Sequence, residues 1–97
     1  MRVIDLLALM QDYNRNTKVQ LRTAAGNATV AKIHTAERQE QPQLILVPGP
    51  GKALKLWEFA VLLDQKGRRL RYLYIQDDAA LRPVFGFQEV AGVLVVN

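Results

Sequence analysis

Two stretches of this chain lie over one another without a gap. Arg2-Val3-Ile4-Asp5-Leu6-Leu7-Ala8-Leu9-Met10 matches Lys55-Leu56-Trp57-Glu58-Phe59-Ala60-Val61-Leu62-Leu63, base on base, acid on acid and apolar on apolar. The register carries on, with Lys18-Val19-Gln20-Leu21 over Arg71-Tyr72-Leu73-Tyr74. A chain that states one pattern twice is expected to build one unit twice. The pattern is a helix followed by strands.

The first helix is expected over residues 2–13. Val3, Ile4, Leu6, Leu7 and Met10 recur at three- and four-residue spacing, with Leu9 the exception on the polar side. Asp5 suits the positive end of the helix dipole. Thr17 to Thr23 alternates as a strand, with Val19 and Leu21 inward. Gly26-Asn27 is the hinge of a turn before a second strand, Ala28 to Thr35. Residues 37–43, polar and containing Pro42, read as a loop. A third strand, Gln43 to Val47, carries the apolar run Leu44-Ile45-Leu46-Val47 and is expected to be buried on both faces.

Pro48-Gly49-Pro50-Gly51 is a linker at the middle of the chain. The second unit opens with residues 53–66, which fit a helix. A hairpin of Leu56–Leu63 with Arg68–Gln76 around Asp64-Gln65-Lys66-Gly67 competes with it, and the repeat register favours the helix. Strands are then expected at 69–76, 82–88 and 93–96, with turns at 77–80 and 90–92. The fold class expected is α+β: one domain over residues 1–97, made of pseudo-repeats 1–48 and 52–97 joined by the linker 48–51. Each pseudo-repeat is an α-β-β-β unit whose helix packs on mainly antiparallel strands.

Composition bounds the function. The 97 residues contain no cysteine, which excludes disulfides and thiolate chemistry, and no serine. Thr17, Thr23, Thr29 and Thr35 lack a plausible nearby base to activate them. The charge of +4 is shared evenly, six bases and four acids in residues 1–48 against seven and five in 49–97. It permits a polyanionic partner without singling one out. The apolar run at the start is broken by Asp5, and no run approaches the ~20 residues that span a bilayer. The expectation is a soluble, cytoplasmic protein with no membrane contact.

Leu44–Val47 running into Pro48-Gly49-Pro50-Gly51-Lys52 has the context of a phosphate-binding loop. Leu46 stands where the first glycine belongs, Ala53 replaces the hydroxyl, and Pro50 removes an N–H, so the linker reading prevails. Lys66, Arg68, Arg69 and Arg71 place four bases within six residues, followed by Tyr72 and Tyr74. They are candidates for a basic ribbon on nucleic acid. The competing reading is a solvated turn with the tyrosines in the core, at the places of Val19 and Leu21. The lone His34 and the neighbours Asp77-Asp78 suggest neither a metal site nor an acid–base pair. Trp57, Phe59, Phe85 and Phe87 are expected in the core. Leu73 and Ile75 stand where the first copy has Gln20 and Arg22, so β-strand 69–76 looks apolar on both faces and its second face is a candidate subunit interface.

The opening Arg2–Met10 followed by Thr17-Lys18-Val19-Gln20-Leu21 resembles a recurrent class of short bacterial and phage-borne proteins that begin with a helix–turn–strand unit. The resemblance covers about the first quarter of the chain and brings no activity or functional residue with it. The residues point to a non-enzymatic protein-interaction module without cofactors, with a protein partner or a second copy of itself. A nucleic-acid-binding accessory role through Lys66, Arg68, Arg69 and Arg71 is the alternative.

Overall fold

The computed structural model describes all residues, Met1–Asn97. The element order is α1 (Val3–Met10), β1 (Lys18–Thr23), β2 (Gly26–Arg38), β3 (Gln41–Gly49), β4 (Leu54–Lys55), α2 (Leu56–Leu63), β5 (Tyr72–Asp77), β6 (Ala80–Pro83), β7 (Phe87–Val90) and β8 (Val93–Val96). The helix at the start of the second half forms, and the competing hairpin does not.

The expected α+β architecture of two α-β-β-β units does not form. The chain is mostly β, 51% strand against 16% helix. Its strands enter one curled mixed sheet in the order β6-β5-β3-β2-β1-β8-β7, with β4 added beside β1. The two halves are stitched together by parallel pairs, β3 with β5 and β1 with β8, so neither half owns a sheet for its helix to cover. The two ends of the strand order, β6 and β7, are consecutive parts of one segment. Between them Phe85 and Gly86 donate to the Asn97 carbonyl, and Asn97 N–H donates to Gly86 O. The curl thus brings both edge strands of the sheet into one stretch of chain, each paired on one side only.

The two helices are short, eight residues each, and the core holds them. Val3, Leu6 and Met10 from α1 and Leu56, Phe59 and Leu63 from α2 join Val19, Leu21, Leu44, Leu46, Leu73, Ile75, Leu94 and Val96 in one buried cluster. Each helix starts in the same way. Asp5 accepts the Arg2 backbone N–H (3.1 Å), and Glu58 accepts that of Lys55 (3.0 Å), half of a capping box in each case. The next N–H groups, orphaned in an isolated helix, find carbonyls across the molecule. Val3 and Ile4 donate to Arg71 O and Arg69 O, while Leu56 and Trp57 donate to Thr17 O and Arg15 O.

The polar stretch at 37–43 is not a loop. It is the tip of the β2–β3 hairpin, with Gln39 (φ 52°) and Glu40 (φ 60°) as the turn. Both φ values are positive, as a type I′ turn requires. Pro48 and Gly49, expected in the linker, extend β3. Of the four aromatics expected in the core, only Phe59 is fully buried. Phe87 packs against the core edge and meets Tyr13 edge to face at 5.1 Å, whereas Trp57 and Phe85 are exposed. No helix is long and apolar enough to cross a membrane.

Gln39 and Glu40 are poor residues for positive φ, and Asn-Gly is the preferred pair. Replacing them with Asn-Gly is expected to raise stability by about 1 kcal/mol in urea unfolding. A loss of stability would show that the turn is not of this type.

Candidate functional site

The basic stretch does not lie on a ribbon. Lys66 to Arg71 forms a run of turns between α2 and β5, and three of its four bases are engaged within the chain. Arg68 Nη1 donates to Leu62 O (2.7 Å), closing the end of α2. Arg69 grips Asp64 with two bonds of 2.6 and 3.2 Å. The Arg69 guanidinium holds the Asp64 carboxyl below its ordinary value of 3.8, chiefly through the hydrogen bond, and Asp64 raises Arg69 in return. Because the folded value of Asp64 is depressed, this pair supports the fold above about pH 4 and lets go as the pH falls through the lowered value. Both side chains are solvated, so the contribution is small.

Arg71 is the structural member of the set. Its side chain is 21% exposed. Nε donates to Gly67 O (3.0 Å), and Nη1 reaches Glu37 Oε1 (2.8 Å), Ala36 O (3.3 Å) and Gln43 O (3.3 Å). It ties the connection after α2 to both arms of the β2–β3 hairpin. Lys66 alone is exposed without such a partner.

Leu73 and Ile75 are completely buried in the chain's own core. They pair with Leu44 and Leu46 of β3, and they offer no face to a second subunit. The outward residues of β5 are Tyr72, Tyr74 and Gln76, half-buried on the other side of the sheet. The tyrosines therefore are not the counterparts of Val19 and Leu21. The reason is one residue. The connection Gln11–Thr17 between α1 and β1 is one residue shorter than Asp64–Arg71 between α2 and β5. An overlay without gaps is right for the helices and one position out for the strands, and a slip of one reverses every side chain.

The remaining candidates are dispersed. His34 is exposed on β2, opposite Ile45. Asp77 ends β5, where it accepts Ala24 N–H (3.1 Å) and Arg82 Nε (3.3 Å), while Asp78 turns the chain with φ 58°. No three His, Asp or Glu side chains gather as metal ligands would. After Gly51 the chain enters β4 before α2 begins, so Pro48–Lys52 is not a strand-to-helix phosphate cradle.

One feature was missed by the sequence reading. The faces of α1 and α2 away from the core meet along an open groove of about 350 Å³. Ile4, Leu7 and Ala8 line one wall, Ala60 and Val61 the other, with Asp64 and Arg69 at one end. Trp57 continues the α2 wall, 41% exposed, and Val61 is 59% exposed. The signal was present in the composition of the helices. VIDLLALM and LWEFAVLL are apolar nearly all round, more than one buried stripe needs.

Comparison of the chain with protein-family models, with curated proteins and with solved structures finds no match. The site's chemistry therefore rests on its own geometry.

Arg71→Met is expected to cost about 2–3 kcal/mol in urea unfolding, because it leaves enclosed carbonyls of the hairpin and the connection without a donor. Lys66→Ala should stay within about 0.5 kcal/mol of the parent. Equal losses would contradict the division of labour within the basic stretch.

Proposed function

We propose that this chain is a non-enzymatic interaction module that associates with a second copy of itself through the helix-pair face. The observation that carries the reading is the apolar groove with Ile4, Trp57 and Val61 open beside it, on an otherwise well-buried core. Exposed apolar side chains scattered singly need no explanation, but a continuous run on one face does.

A second copy is the occupant that the face fits best. Matching positions of the two helices, Ile4 and Trp57, Ala8 and Val61, are all open on this face, Ile4 towards one end of the groove and Trp57 towards the other, so the face repeats one pattern twice. An isologous contact requires a self-complementary patch, and this one supplies an apolar middle with charges of both signs at its rim. Asp64 and Arg69 stand at one end, and Arg15 leans over Trp57 at 6.0 Å at the other. The size of the patch sets the strength. Two eight-residue helices are each ~12 Å long. They present a few hundred Å² at most, short of the ~800 Å² per partner of a standard interface. The association is therefore weak, with Kd on the order of 10–100 μM.

Sedimentation velocity across this concentration range is expected to show a reversible monomer–dimer equilibrium. Val61→Asp places a charge in the middle of the patch and should leave a monomer with unchanged circular dichroism. A parent chain that stays monomeric at millimolar concentration, or a Val61→Asp variant that still dimerises, would refute the reading.

A further inference from the structure

The side of the sheet turned away from the core carries no carboxylate. Alternation along the strands identifies its residues. Val19 and Leu21 are buried, so Lys18, Gln20 and Arg22 face out on β1. The register places Val93 and Val95 of β8 and Gln88 of β7 beside them. On β2, beyond the bulge at Val30–Lys32, the outward residues are Lys32, His34, Ala36 and Arg38. They pair with Val47, Ile45, Gln43 and Gln41 of β3, and Tyr72 and Tyr74 of β5 follow.

The chain has nine acids, and all of them lie elsewhere. Asp5, Asp12, Glu58 and Asp64 belong to the helices and their ends. Glu40 and Asp78 are in turns. Glu37, Asp77 and Glu89 fall on the inward parity of their strands, in register with Pro42, Ala80 and Leu94. A chain of modest net charge has thus sorted its charges so that one broad face holds only bases.

That face also holds two aromatic rings. Tyr72 and Tyr74 point the same way from one strand, ~7 Å apart. The Arg2 guanidinium lies over the Tyr72 ring at 5.5 Å, and the Tyr74 hydroxyl is held by Gln41 Oε1 at 2.7 Å. Lys32 and Arg38 stand two strands away, ~10 Å across the sheet. The rings are half-buried, with Ile45 and Gln43 buried between them and β2; aromatic rings held on a sheet with cations flanking them are what unstacked bases and their phosphates bind.

We propose that this outer face binds single-stranded nucleic acid, with bases stacking on Tyr72 and Tyr74 and the backbone running against Lys32, Arg38 and Arg2. Duplexes are poorer ligands, because stacked and paired bases offer the rings no free surface. The site is separate from the basic stretch at 66–71, whose arginines are engaged within the chain. It does not rest on self-association, which uses the helix side of the molecule.

The test is fluorescence anisotropy with labelled DNA and RNA strands of about 15 nucleotides, and with a hairpin duplex of the same length, in salt from about 50 to 200 mM. Cosedimentation with phosphatidylserine vesicles runs in parallel. The expected result is single-strand binding tighter than duplex binding. The double variant Lys32→Glu/Arg38→Glu weakens it at least about tenfold and flattens the salt slope by roughly 0.7 per lost contact. Lys52→Glu/Lys66→Glu changes net charge equally but lies off the face, and should move affinity by no more than about twofold. Tyr74→Phe keeps the ring and keeps binding, whereas Tyr74→Leu loses about tenfold.

No single-strand binding at low salt overturns the proposal. So does equal binding to the duplex, full affinity in Lys32→Glu/Arg38→Glu, or capture by the vesicles without the oligonucleotides. The first of these outcomes leaves the self-association reading untouched.

Discussion

The reciprocal capping of the two helices is the interaction on which the rest of the structure depends. The first N–H groups of α1 are taken by the carbonyls of Arg69 and Arg71, and those of α2 by Arg15 and Thr17. Each helix is closed by the segment that leads from the other helix into a strand. This satisfies donors that an eight-residue helix leaves open, and it fixes the last residues before β1 and β5. The pairing continues from there. Arg2 bridges to Tyr72, and Leu73 N–H donates to Met1 O; Lys55 pairs with Lys18, and Leu54 with Val19. Where β1 and β5 begin, and which of their side chains point inward, are settled at the helix starts.

The sheet follows from that setting. With Leu73 and Ile75 inward, β5 runs parallel to β3, and with Val19 and Leu21 inward, β1 runs parallel to β8. Inward residues from all these strands and both helices make one core. The sheet curls around it until a single segment, Ala80 to Val90, serves both edges. The surface chemistry divides along the same line. The helices expose apolar side chains at the core side of the molecule, and the outer side of the sheet collects bases and tyrosines while excluding acids. Gln43 lies beneath that outer face with its Oε1 buried and unpartnered. It is the one such side-chain atom in the protein, and its position follows from the strand pattern.

Much of the element order was legible in the residues, because local signals were strong there. The last strand matches its expected span, Val93 to Val96, and the second helix is recognised by its likeness to the first. The hairpin tip at Gln39-Glu40 was not legible, since neither residue advertises positive φ. Pro42 also argued against a strand. It is tolerated because it lies beyond the stretch of β3 that pairs with β5, so β3 has one neighbour there. The architecture was misread for a longer-range reason. Parallel pairing between strands far apart in the chain leaves no local pattern, and it is this pairing that merges the halves into one sheet. The candidate sites were misread through the single extra residue before β5, which turned buried leucine and isoleucine into an expected interface and outward tyrosines into an expected core. The acid-free face becomes visible only once strand parity is known.

Amide hydrogen exchange at Val3, Ile4, Leu56 and Trp57 tests the reciprocal capping most directly. The opening amides of short helices ordinarily exchange at close to the free-peptide rate, because they lack partners. Reciprocal capping predicts protection at all four positions comparable to that of Leu21 and Leu73 in the core strands, lost only in global unfolding. Fast exchange at these four amides with the strands still protected would contradict it, and would mean that the sheet holds the helices rather than the helix starts setting the sheet.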